Sequence, residues 1–332
     1  MPDNEQAASN ISQPPFNRHQ MAAVITAPVL MTNIILILLI STQRKLRTPS
    51  NAIVCNSCIA CLVLGIIHIV SAAISLNQIS QTENIALFCF FNESTELALS
   101  GVVTFHITIL ALERFFSVVY PFKYERLTTN RNIAILLLSL WIIPICVIFI
   151  PVTVTSLSIG GNCDEWSEIP SVRVVFLYVL FPLVLFIPSI ITLLAYSGIM
   201  YKIYIITSQT WSQQTYTNYQ RNSSRYQLMV GHRKALFQML ILLTVYSLSY
   251  FPFYAFYVIY IESNRQILAT AAYVSYLVAI AYLSFHPILI MSFTANLKEE
   301  FGKQCHRLLF PCSSHSTKNK IHVSTFMTST AY

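Results

Sequence analysis

Hydrophobic residues along this chain gather into seven long runs separated by short polar stretches. The runs cover roughly 21–42, 50–77, 87–118, 132–154, 173–205, 234–261 and 267–292. No charge falls between Ala22 and Ser41, and none between Ala235 and Ile261. Hydrocarbon gives a backbone amide no hydrogen-bond partner, so a segment crossing it must close its bonds internally, as a helix of about 20 apolar residues does. Seven such runs predict an all-α membrane protein, a seven-transmembrane helix bundle over residues 21–295. A weaker pattern follows it. From Asn296 to Phe310, Leu297, Phe301, Leu308 and Leu309 stand among basic residues, which predicts a short amphipathic eighth helix lying on the membrane surface. Residues 1–20 form a polar N-terminal segment, and 311–332 a Ser/Thr-rich tail expected to be disordered.

Composition agrees with a chain that faces lipid. Of the 332 residues, 55% are hydrophobic and 10% charged, against about 25% charged in a soluble domain. The net charge of +7 raises the possibility of a nucleic-acid partner, but its distribution points to membrane orientation. With the N-terminus outside, the cytoplasmic side receives seventeen Lys/Arg and four Asp/Glu; the outer side receives three Lys/Arg and nine acids. The C-terminus is then cytoplasmic, and a multi-pass protein of the plasma membrane is expected. The N-terminal segment lacks the basic stretch and cleavage site of a signal peptide, so the first helix is expected to act as an uncleaved insertion signal. It carries a glycosylation sequon at Asn10. No inverted repeat of the transporter kind is visible, and no nucleophile-base or metal constellation suggests an enzyme. His68 and His106 read as satisfied packing groups, with no metal or cofactor implied.

Polar and proline landmarks inside the runs narrow the class. Asn33 lies in the first span, and Gln43–Asn51 reads Gln-Arg-Lys-Leu-Arg-Thr-Pro-Ser-Asn. Glu113-Arg114-Phe115 follows Cys89, with Arg114 twenty-five residues on; Trp141, Pro188, Tyr196, Pro252 and Pro287 come after in order. From Asn33 to Cys312 the pattern resembles rhodopsin-like G-protein-coupled receptors. The second cytoplasmic loop, from Glu113 through Pro121 and Phe122 to Tyr124, is similar without gaps to that of amine receptors of the beta-adrenergic type.

The resemblance implies a receptor that carries an extracellular small ligand to a cytoplasmic heterotrimeric G protein, with arrestin a further partner through the tail. Glu113, Arg114, Pro121, Phe122 and Tyr196 are then the coupling residues; an ordinary interface arginine is the alternative for Arg114. Glu96 lies seven residues after Cys89, roughly 10 Å deeper on a helix. Amine receptors carry there the aspartate that meets the ligand's ammonium, although a structural carboxylate paired with a neighbour or water fits equally well. Ser100, Tyr250, Phe253 and Tyr254 complete the expected ligand site. A biogenic amine ranks first, with lipid, peptide and odorant-like ligands behind it. Cys89 and Cys163 are the only cysteines expected at the oxidising face and would pair; Cys305 or Cys312 would carry a lipid anchor.

Several positions depart from the family. Leu180 and Val184 stand where catecholamine receptors have serines, and Ile280 where a tyrosine steadies the carboxylate or an opsin carries its lysine. Cys61, Val103 and His286 replace the aspartate, serine and asparagine around the family's sodium ion. Tyr250 replaces a tryptophan, Ile290 a tyrosine, and His232 stands where some members carry a glutamate. These changes support a second reading, a receptor-fold protein that acts as a decoy or heteromer partner.

Overall fold

A computed structural model describes residues 18–76, 84–151, 154, 173–213, 219–263 and 265–309. Its helices are α1 (Arg18–Thr42), α2 (Pro49–Leu76), α3 (Asn84–Val119), a short α4 (Pro121–Leu127), α5 (Asn130–Pro144), α6 (Phe181–Gln213), α7 (Tyr219–Ser263), α8 (Gln266–Phe293) and α9 (Ala295–Leu309). Helices α1, α2, α3, α6, α7 and α8, and α5 taken together with the turn that continues it to Phe149, are long and apolar enough to cross a bilayer, which gives seven spans among the described residues. The chain is a multi-pass membrane protein.

Local sequence explains where these helices start and bend. Pro121 opens α4 at its first position, where the missing amide would be unpaired in any case. Thr129 caps α5, its Oγ1 accepting from the Asn132 amide at 3.4 Å. After Pro144 the helix widens into a π turn over Ile145–Phe149, and a second π turn, Val175–Leu180, leads into α6 just before Pro182. A proline ring clashes with the carbonyl four residues back, Tyr178 in that case, and a wider turn moves that carbonyl aside. Helices α6 and α7 run past the hydrophobic limits at 205 and 234, to Gln213 and from Tyr219. Residues 206–213 and 219–233 contain Gly231 but no Pro, so no helix breaker stops either helix where the lipid ends.

Helix α3 is the centre of the bundle. It packs on α2, α5 and α6, while α7 packs on α6 and α8, and α1 closes the ring against α2 and α8. Its middle is buried on all sides, from Leu97 through Val102 and Val103 to Leu110, as an interior helix requires. Outside the ring, Met31, Leu138, Ile190, Leu194 and Leu248 stay exposed and form a lipid-facing apolar surface. Some polar groups turn inward and tie the helices together. Asn33 donates through Nδ2 to the carbonyls of Val29 at 2.8 Å and Leu283 at 3.2 Å, tying α1 to α8. Asn56 joins three helices: its Oδ1 accepts from Trp141 Nε1 at 3.3 Å, and its Nδ2 meets His106 Nε2 at 2.9 Å.

The two ends of the bundle differ in charge. Arg44, Lys45, Lys123 and Arg126 surround one of them, the basic end; at the other, where α3 begins and α7 finishes, the described acids and bases balance. At the basic end α9 leaves α8, buries Leu297 completely and half-buries Phe301 against the core. Close packing there depends on Gly198 of α6. A Cβ at that position would sit 2.6 Å from the Phe115 ring of α3.

Candidate functional site

The cavity and the carboxylate within it

A cavity of about 650 Å³ lies between α3, α6, α7 and α8, away from the basic end. Each helix contributes residues at helical spacing. On α3 these are Glu96, Ser100 and Thr104, one turn apart on a single face. On α7 they are Tyr246, Tyr250, Phe253, Tyr257 and Tyr260, the steps of four and three that keep to one stripe. Helix α8 adds Ala269, Ala272, Tyr273 and Tyr276, and the α6 side is apolar: Phe176, Phe181, Val184 and Leu185.

The structure therefore brings Glu96, Ser100, Tyr250 and Phe253 to one cavity. Tyr254 is not among its lining residues. It lies one residue, about 100°, further round α7 than Phe253, and its hydroxyl donates instead to the Leu177 carbonyl at 3.0 Å. Its ring meets Phe181 and Phe186 with centroids 5.5 and 5.3 Å apart, so it joins α7 to α6. Leu180 is buried beside the cavity and Val184 lines it, so the wall opposite Glu96 offers no hydroxyl at either position.

Among the described residues lining the cavity, Glu96 is the one carboxylate, and none is Lys, Arg or His. The surrounding rings are mutually packed. Tyr246 and Tyr250 stack at 4.8 Å, Phe253 meets Tyr276 at 5.5 Å and Tyr257 at 5.7 Å. At the floor, Thr104 Oγ1 donates to the Ser100 carbonyl at 2.8 Å, which leaves the Tyr246 hydroxyl to donate to Thr104 at 2.9 Å. A half-buried carboxylate among aromatic faces is suited to a cation, which gains both the charge and the negative π faces.

His68 differs from expectation. It packs edge-on against Tyr276, centroids 6.3 Å apart, but its buried Nε2 has no hydrogen-bond partner among the described residues. His106 is satisfied on both nitrogens, with Nδ1 2.6 Å from the Val102 carbonyl. Below the cavity Cys61, Val103 and His286 are buried, and they do not fit sodium, which takes hard oxygen ligands.

The basic end

Glu113 is buried and surrounded by donors. Its Oε1 accepts from Ser50 Oγ of α2 at 2.7 Å and from the Tyr124 hydroxyl of α4 at 2.5 Å. Its Oε2 lies 3.5 Å from Arg114 Nε, an ion pair without hydrogen-bond alignment. Burial, with the neighbouring carboxylate, pushes the Tyr124 hydroxyl up to about 12, so it stays a donor at physiological pH. Ser50 and Tyr124 were not visible as site residues in the sequence; only a fold that folds α4 back under α3 makes them neighbours of Glu113.

Pro121 and Phe122 stand at the surface, Phe122 85% exposed. Tyr196 is buried beside Leu110, Ala111 and Leu242, at the seam of α3, α6 and α7. The Cys305 thiol is free and half-buried on α9. The remaining expected modification sites, Asn10, Cys163 and Cys312, lie outside the described residues, as do the side chains of Cys89 and His232.

Known proteins similar to the chain

The sequence profile of the 7 transmembrane receptor (rhodopsin family) matches residues 32–290. Among curated proteins, the histamine H2 receptor of Rattus norvegicus is 27% identical over 146 residues, 43% of this chain and 39% of that receptor. The octopamine receptor beta-2R of Drosophila melanogaster is 27% identical over 141 residues, 41% of this chain and 25% of that receptor. The trace amine-associated receptor 2 of Homo sapiens is 30% identical over 116 residues, 34% of this chain and 32% of that receptor. In each case the match spans well under half of the relative's length.

Proposed function

Because the chain belongs to the rhodopsin family of seven-transmembrane receptors, we propose that it is a receptor for an extracellular amine, held at Glu96, and that it signals to a cytoplasmic heterotrimeric G protein. The observation that carries this reading is the single carboxylate in an aromatic cavity with no Lys or Arg among its described lining residues. A half-buried carboxylate among aromatic faces favours a positive partner, and a ligand ammonium supplies one. The amines named by the similar receptors point the same way. The excess of Lys and Arg at the basic end supports placing that end in the cytoplasm and the cavity toward the outside of the plasma membrane.

Coupling is assigned to Arg114, Phe122 and Tyr196. Phe122 offers a partner an apolar anchor at the basic end, and Arg114 is held to Glu113 until something better oriented engages it. The replacements at Cys61, Tyr250, His286 and Ile290 keep open a second reading, a receptor fold that binds ligand without signalling. One experiment addresses both. An amine panel is applied to the full chain in membranes, reading ligand binding and G-protein activation separately. Glu96→Gln is expected to lower amine affinity by about 2–5 kcal/mol, the scale for truncating a buried charge pair, and Glu96→Asp by less. Equal responses in wild type and Glu96→Gln remove the amine reading; binding without activation selects the silent receptor.

A further inference from the structure

Two phenylalanines on the α6 side of the cavity stand five residues apart. Phe176 and Phe181 both line it, and their ring centroids are 5.4 Å from each other. On a regular α-helix, five residues leave two side chains about 140° apart, so only one of them could face the cavity. The wide turn Val175–Leu180 removes that conflict. Its bonds close on the fifth residue and not the fourth, which brings residues five apart to one side. Beyond the turn Phe181, Val184 and Leu185 continue at ordinary helical spacing. The wall takes this form because the turn absorbs one extra residue.

Closing that turn leaves one carbonyl without a partner in its own helix. The Phe181 amide donates to the Phe176 carbonyl. The next amide in line would serve Leu177, but residue 182 is proline and has none. Leu177 is completely buried, and an unpaired carbonyl away from water is costly. Tyr254 of α7 supplies the missing donor, its hydroxyl 3.0 Å from that carbonyl. Its ring also lies against Phe181, centroids 5.5 Å apart, so the group that caps the turn touches a residue the turn delivers.

We propose that Tyr254 is a positioning residue for the ligand site. It does not line the cavity; it caps the Leu177 carbonyl in place of the amide that Pro182 lacks, and so holds the turn that brings Phe176 and Phe181 to the wall together. Without the cap, the Phe181 amide is drawn to Leu177, the α-helical bond. The turn then tightens and Phe176 rotates off the wall. This rests on the reading of the cavity as an amine site.

The test uses the full chain in lipid nanodiscs and two double-mutant comparisons. The first reads melting temperature. Tyr254→Phe should lower it, and by no more than about half as much in a Pro182→Ala background, where residue 182 regains an amide. The second reads affinity for radiolabelled histamine, octopamine and phenethylamine, per folded receptor. For an amine that wild type binds, Tyr254→Phe should weaken binding about fivefold or more, and should add little to Phe176→Ala, since it acts through that side chain. An equal loss of melting temperature in both backgrounds, or a Tyr254→Phe chain that folds in neither, overturns the cap. Wild-type affinity in Tyr254→Phe, or losses that multiply with those of Phe176→Ala, overturn the positioning role and leave Glu96 its amine. Wild type binding none of the three removes the amine reading, and the proposal with it.

Discussion

At the scale of single residues, Glu113 shows how a buried charge is kept. Its Oε1 takes two hydroxyl donors, and Arg114 stands by its Oε2. A hydrogen bond to a charged group contributes about 1.5–3 kcal/mol. If signalling draws Arg114 toward a G protein and rearranges this cluster, Tyr124→Phe removes a contact from the resting arrangement alone. Tyr124→Phe should therefore raise basal G-protein activation in the absence of ligand, with Ser50→Ala acting in the same direction. Basal activity at or below wild type in both variants would mean that the cluster serves folding and not restraint. Neither partner of Glu113 could be read from the sequence. Ser50 is 63 positions away, and a serine at a helix start looks like a cap until a carboxylate is seen beside it.

At the scale of elements, hydropathy and helical spacing account for most of the architecture. The seven runs follow from hydropathy and the short helix after them from its apolar spacing, and α9 begins within a residue of where its pattern starts. The aromatic stripe of α7 was also there to see, since Tyr246, Tyr250, Phe253, Tyr257 and Tyr260 repeat at four and three. Tyr254 falls off that stripe, because one residue is 100° on a helix, enough to move the side chain from the cavity to the α6 seam. Helix continuation past 205 and before 234 was hidden, because hydropathy marks where lipid ends, not where a helix does. The same element logic separates the two ends of α3. Arg114 lies eighteen residues from Glu96, about 27 Å along the axis, so it cannot touch the ligand. Arg114→Ala should abolish G-protein activation while leaving ligand affinity measured without G protein close to wild type. Phe122→Ala should weaken coupling by about 1–3 kcal/mol through loss of an apolar anchor. Full signalling by both variants would place coupling elsewhere on the basic end.

At the scale of the whole molecule, the bundle keeps the family's architecture with different chemistry in its middle. Cys61, Val103 and His286 are buried where related receptors hold a sodium ion, and together they offer no hard oxygen. Exchanging sodium for a large organic cation at constant ionic strength should leave agonist binding curves in place. A reproducible, sodium-specific tenfold shift, about 1.4 kcal/mol, would show that other groups complete such a site. The fold was legible because lipid imposes one solution on every span. The central chemistry was legible only as a set of departures. The polar contacts between spans, the Asn56 junction of α2, α3 and α5 and the Tyr246–Thr104 bond across the cavity floor, depend on which side chains the packing turns toward each other.

The contact between Phe115 and Gly198 constrains how this sequence can drift. With 2.6 Å between the ring and the place of a missing methyl, the two positions share one fixed volume. Gly198→Ala alone should destabilise by about 1–3 kcal/mol through overpacking, measured as a lower melting temperature in nanodiscs, and a smaller residue at 115, as in Phe115→Leu, should restore part of the loss. The same exchange should be written in descent. Orthologues that gained a side chain at position 198 should have trimmed the one at 115, and two lineages that solved it differently should yield poorly folded chimaeras when α3 of one is joined to α6 of the other.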